Sequence, residues 1–185
     1  MKTVFGYLLI IFSIFFMIAL AFPQFYSNND SGRIDKNTPL KLDFLKQEES
    51  PVVLLFFGYV GCDNICPPAM REINDIYEQL DKTNVKVYFI NLLDTINKDA
   101  PNYYAKEFNK DFKGIYLDNL SMKKIINKFS LSITKVNNNE INHSGYLYVL
   151  KKDNKEYTLN YIYTTKPFNE ESIIKDISIL LQNRD

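Results

Sequence analysis

A chain of 185 residues, 46% hydrophobic and 15% aromatic, has room for one globular domain with a sizeable core. Its 22 basic and 22 acidic residues cancel, which removes the electrostatic reason to expect a nucleic acid partner. The one strongly biased stretch is the start. Val4–Phe22 is an uncharged run rich in Ile, Leu and Phe, close to the roughly 20 residues that a bilayer-spanning helix needs. Residues 1–22 are therefore expected to be a membrane anchor, with a signal peptide as the alternative because Ala19-Leu20-Ala21 resembles a small-x-small cleavage site. Lys2 favours an N-inside orientation, which puts the rest of the chain on the periplasmic side of the cytoplasmic membrane.

Residues 23–39, with Ser27-Asn28-Asn29-Asp30-Ser31-Gly32, read as a polar linker, and residues 40–185 as the domain. Leu40–Leu45 alternates weakly and predicts a short edge strand. Val52–Phe57 is six apolar residues without alternation, the pattern of a strand covered on both faces. From Pro67, the spacing of Met70, Ile73, Ile76, Tyr77 and Leu80 predicts a helix. Val85–Ile90 predicts a second strand, Pro101 opens a second helix, and Ile115–Leu117 predicts a third strand. Ser121 is expected to cap a third helix carrying Met122, Ile125, Ile126 and Phe129. Val136–Asn142 reads as an Asn-rich loop tip. Tyr146–Leu150 and Glu156–Tyr163 predict strands divided at Asp153-Asn154, and Asn169 caps a last helix. This order describes an α/β sandwich with a mixed central sheet, and the thioredoxin-like fold fits it.

Both cysteines lie just past the Val52–Phe57 run, in Gly58-Tyr59-Val60-Gly61-Cys62-Asp63-Asn64-Ile65-Cys66-Pro67-Pro68. Open α/β sheets bind and react at the carboxyl ends of their strands. A structural disulfide is one use of the pair, but a five-residue loop returns only about 2 kcal/mol, against more than 4 for a loop of a hundred residues. Helix N-terminal amides favour thiolate over thiol, and thiolate is both nucleophile and metal ligand. Two thiolates suit Cu(I), or Zn with further donors. The chain has only two Cys and one His, so zinc would need a carboxylate such as Asp63. His143, the sole histidine, stands between the Asn-rich loop and a predicted strand, where a ligand can be held on a rigid neighbour. Nothing in the periodicity brings it near Cys62 or Cys66.

Phe56-Phe57-Gly58-Tyr59-Val60-Gly61-Cys62-Asp63-Asn64-Ile65-Cys66-Pro67 resembles the F-F-G-Y-T-H-C-P-D-x-C-P signature of the Sco/SenC family. Those are membrane-anchored, thioredoxin-like copper proteins that help assemble the copper centre of cytochrome c oxidase. Asn142-His143-Ser144 is similar to the family's D-H-[ST], and Asp99-Ala100-Pro101 to its D-T-P. The chain departs from the pattern at Gly61, Asp63, Asn64 and Asn142, and Asp94 aligns with the family's acidic loop only through a one-residue insertion.

The resemblance implies a copper metallochaperone in which Cys62, Cys66 and His143 bind Cu(I) or Cu(II). The copper-accepting subunit of the oxidase would be the partner. The alternative is a thiol–disulfide reductase in which Cys62 and Cys66 are catalytic and keep a partner's cysteines reduced. A copper or redox sensor is the third possibility. The thioredoxin enzymes' cis-proline before the facing strand has no counterpart between Pro101 and Pro167.

Overall fold

The computed structural model describes residues 6–7, 10–17, 32–94, 96–137 and 140–182. The chain divides into two units, Met1–Ser31 and Gly32–Asp185. In the first, residues 10–17 are helical and exposed. No helix among the described residues is long and apolar enough to cross a membrane. The rest of the stretch read as an anchor, residues 1–5, 8–9 and 18–22, and residues 23–31 of the stretch read as a linker lie outside the described residues.

The second unit is built on a six-stranded sheet. Its strands are β1 (Arg33–Leu40), β2 (Val52–Gly58), β3 (Val85–Asn91), β4 (Lys113–Ile115), β7 (Leu147–Asp153) and β8 (Glu156–Tyr163), in the order β1-β8-β7-β2-β3-β4. A separate two-stranded ribbon pairs β5 (Ile133–Lys135) with β6 (Ile141–His143). Four helices complete it: α1 (Cys66–Glu78), α2 (Ala100–Phe108), α3 (Asn119–Phe129) and α4 (Glu170–Gln182). β2 runs parallel to β3, and β3 to β4, while β7, β8 and β1 pair antiparallel. This is the mixed thioredoxin-like sheet expected.

β2 is apolar throughout because it is interior in every direction. β3 and β7 flank it, and all seven of its residues are buried. Alternation sends neighbouring side chains to opposite faces. Phe57 meets Phe129 of α3, with ring centroids 4.9 Å apart. Phe56 instead stacks on Phe89, which meets Tyr104 of α2. Right-handed crossovers place α1 and α2 on that second face, and α1 packs against α2 and α4.

Several boundaries differ from the sequence reading. The first strand is Arg33–Leu40, not Leu40–Leu45, and Asp43–Leu45 is a single 3-10 turn. Residues 33–39 of the presumed linker are thus an edge strand. Six of its eight positions are exposed, so it shows no apolar pattern. Backbone pairing with β8 holds it, together with Arg33, whose guanidinium lies over Tyr161 and 3.2 Å from buried Asp176. The third core strand is Lys113–Ile115 rather than Ile115–Leu117, registered on Tyr88–Ile90. Asp118, not Ser121, caps α3, its Oδ1 accepting from the Ser121 amide at 2.7 Å. β7 is Leu147–Asp153 rather than Tyr146–Leu150, and its turn starts at Asn154, at φ +55°. The β5–β6 ribbon occupies part of what reads as loop. Asn169 caps α4 as expected, accepting from the Ser172 amide.

Candidate metal centre

β2 and β3 end level with one another, Gly58 opposite Asn91. Past that line the chain must turn from strand to helix, and Asn91 controls the turn. Its side chain is wholly buried; Oδ1 accepts from the Val60 amide at 3.0 Å, and Nδ2 donates to the Leu93 carbonyl. One amide group thereby satisfies backbone on both loops at the carboxyl end of the sheet, where unpaired polar groups would be costly. A polar residue closing the apolar run Val-Lys-Val-Tyr-Phe-Ile-Asn is the signal that could have marked it; the sequence reading stopped the strand at Ile90.

α1 begins at Cys66, with prolines in its first turn where no amide donor is required. No side-chain oxygen caps it. The Cys62 sulfur does so, accepting from the Cys66 amide at 3.4 Å. Cys66 is 0% exposed, and its sulfur fits where Gly58 has no side chain: a Cβ on Gly58 would stand 2.6 Å from Cys66 Sγ. The two cysteines are not joined in a disulfide.

The third group arrives on the β5–β6 ribbon. His143 ends β6, paired with Ile133. Its ring is held edge-on by Phe56 and Tyr59, at centroid distances of 6.4 and 5.9 Å. Nε2 lies 3.5 Å from Cys66 Sγ across 77 residues of sequence. The two sulfurs and a ring nitrogen are all within 4.8 Å of one another. The structure brings together all three predicted residues, and Asp63, weighed as a completing ligand for zinc, is not in the group.

The sulfurs share one proton unequally. A hydrogen bond from the Cys66 thiol holds Cys62 down to about 4; burial opposes this, and His143 and the backbone amides of Cys66 and Ile65 assist it. The same hydrogen bond, with burial, pushes Cys66 up. Cys62 is therefore favoured as the thiolate and Cys66 as its donor. Burial and the charge of Cys62 raise the Tyr59 phenol to about 12. Cys62, itself 5% exposed, and His143 line a cleft of about 510 Å³ with Tyr59, Asp63, Asn64 and Glu140.

The donors suit a soft ion. Metal–sulfur and metal–imidazole bonds of about 2.3 and 2.0 Å in a trigonal plane put the donors roughly 4 Å apart, within the 4.8 Å span seen here. Nε2 is the ring nitrogen aimed at the sulfurs, and Nδ1 is buried with no hydrogen-bond partner among the described residues.

Residues 46–182 match the sequence model of the SCO1/SenC family. An SCO2-like protein of Rickettsia felis is 24% identical over 111 residues, 55% of this chain and 54% of that protein. The match thus spans about half the length of the curated relative. Arabidopsis thaliana ScoI, solved with copper bound, superposes with a TM-score of 0.63 and 17% identity, over 82% of this chain and 99% of that one. BsSco, a member of the Sco family of cytochrome c oxidase assembly proteins in which a disulfide switch has been identified, gives 0.59 and 15% over 80% and 94%.

Proposed function

The chain belongs to the SCO1/SenC family, and we propose that it is a copper carrier in which Cys62 and Cys66 hold the ion through sulfur and His143 through Nε2. The observation that carries this reading is the convergence of the chain's only imidazole on its only two thiols. The copper bound by ScoI supports the choice of metal, and the description of BsSco supports oxidase assembly as the setting. The copper-accepting subunit of cytochrome c oxidase is the partner this reading assigns. The N-terminal apolar segment would tether the domain outside the cytoplasmic membrane.

The ion is cargo, so the site has to release it. Cu(I) is satisfied by the two thiolates, whereas Cu(II) draws on the imidazole as well. A partner thiolate entering the cleft beside Cys62 can replace one sulfur at a time. Anaerobic titration of the reduced full-length protein tests the reading. One equivalent of copper is expected, with thiolate-to-Cu(II) charge-transfer absorbance. The double variant Cys62→Ser, Cys66→Ser should lose it, and full copper loading in that variant would overturn the proposal.

One observation favours a second reading. A thiolate at the cleft backed by a buried thiol is also the arrangement of a dithiol reductase. Cys62 would attack a partner disulfide, releasing one thiolate and forming a mixed disulfide. Cys66 would then close on Cys62 and release the second. His143→Ala separates the two readings, since it should weaken Cu(II) binding and leave dithiol–disulfide turnover intact.

A further inference from the structure

Lys166 lies between β8 and α4 and is not one of the three residues assigned to copper. Its Nζ stands 5.2 Å from the centroid of Phe56 and 5.3 Å from that of Phe168. Phe56 is the ring whose neighbour is His143. Gly145, two residues after His143 and at φ +61°, leaves the space this side chain uses: a Cβ there would be 2.7 Å from Ile65 Cγ2 and 3.0 Å from Lys166 Nζ. The ammonium therefore sits at the seam where the cysteine loop, through Ile65, meets the histidine segment, through Gly145. Burial lowers the Lys166 ammonium, and the charges of Cys66, Glu72 and Cys62 oppose that. Among the described residues no ion pair holds it. Glu72, the carboxylate that also acts on it, is bonded to the Phe168 amide at 2.9 Å. The aromatic faces and the aliphatic stem keep the charge in place.

We propose that Lys166 selects the oxidation state of the bound ion, favouring Cu(I) over Cu(II); the inference rests on the copper reading above. Exchanging Cu(I) for Cu(II) in one donor set adds one positive charge. A fixed cation beside the site opposes that addition, whatever the protonation of the empty thiols. At an effective dielectric between those of a protein surface and of water, one such fixed charge changes the ratio of the two affinities roughly threefold to tenfold.

The test uses reduced full-length protein in detergent as wild type, Lys166→Met and Lys166→Arg. Cu(I) affinity is measured against a Cu(I)-selective chelator. Cu(II) affinity is measured against an amino-acid competitor, read by the charge-transfer band. Lys166→Met should raise the Cu(II)-to-Cu(I) affinity ratio roughly threefold to tenfold, and Lys166→Arg should keep it near the wild-type value. A purely structural role would move both affinities together and leave the ratio alone. An unchanged ratio in copper-loaded Lys166→Met overturns the inference, as does an equal rise in Lys166→Arg. Wild type that takes up no copper overturns the carrier reading itself, a different result from an unmoved ratio.

Discussion

Gly58→Ala is the most direct challenge to the way the site is built. The added methyl would lie 2.6 Å from Cys66 Sγ, 2.9 Å from Phe89 Cε2 and 3.3 Å from Phe56 Cε1. The backbone conformation is not the obstacle, since Gly58 is an ordinary strand residue paired with Asn91. The obstacle is packing. Cys66, Phe56 and Phe89 are each 0% exposed, so none of them can move aside into solvent. Overpacking of this kind costs about 1–3 kcal/mol, and in a domain of this size each kcal/mol lowers the Tm by roughly 2–4 °C. The sulfur must also retreat from 2.6 Å to an ordinary contact of 3.4 Å or more. Ligating groups tolerate a misplacement of only about 0.5 Å, so Cu(I) affinity should fall about tenfold or more. Gly61→Ala is the control: at φ +95° it is strained, but no atom lies within 4 Å of the added methyl. It should cost about 1 kcal/mol of stability and little copper affinity. Calorimetry and chelator competition on both variants decide the matter. Gly58→Ala with wild-type Tm and affinity, or Gly61→Ala losing as much copper, would refute the view that the Cys66 sulfur occupies the space Gly58 leaves.

Asn91→Leu keeps the volume but leaves the Val60 amide and the Leu93 carbonyl without their partner. Urea unfolding should show a loss of about 2–4 kcal/mol, and a native midpoint would sink the role given to Asn91. At the other end of the sheet, burial raises Glu48, but hydrogen bonds from Lys113, Tyr88 and Ser50 outweigh it and leave the carboxylate at about 2. A carboxylate depressed on folding contributes stability that is present above its ordinary value of 4.5 and lost as pH falls toward 2. The contribution is about 3 kcal/mol by linkage, nearer 2 once solvent screening is allowed for. Glu48→Gln should flatten the fall in stability between pH 4.5 and pH 2, and an acid-unfolding curve identical to wild type would contradict this.

What the sequence makes legible follows from where the physics leaves a pattern. β2 is readable because burial on both faces demands an unbroken apolar run, and the cysteines are readable because they follow it at a turn. α1 and α4 are readable because one apolar face repeats at helical spacing. β1 is opaque for the opposite reason: an exposed edge strand is held by backbone pairing, to which Asp35, Lys36 and Asn37 contribute no apolar signal. The strands of the β5–β6 ribbon are three residues each, too short for alternation to register. The meeting of His143 with the cysteines is a tertiary fact that local pattern does not encode; only the likeness of Asn142-His143-Ser144 to a family segment pointed to it. Asn91 and Lys166 were missed because each acts through an atom placed by the fold, one beneath a loop and one across a seam.

The two cysteines are not equivalent, although C-x-x-x-C spacing presents them as a pair. Cys66 is part of the core: its sulfur fills the room left by Gly58, and its backbone starts α1. Cys62 is also buried, at 5% exposure, but sits on a loop: its sulfur caps that helix, and the loop is pinned to Asn91 through Val60. The hydrogen bond between the sulfurs makes the sharing unequal; burial opposes it and helix amides assist it at Cys62, so Cys62 is favoured as the thiolate and Cys66 as its donor. An incoming metal ion or partner would meet Cys62 first, since Cys62 and not Cys66 lines the cleft. It reaches the second only by displacing the proton that Cys66 holds, after which the imidazole 3.5 Å away is the nearest further donor.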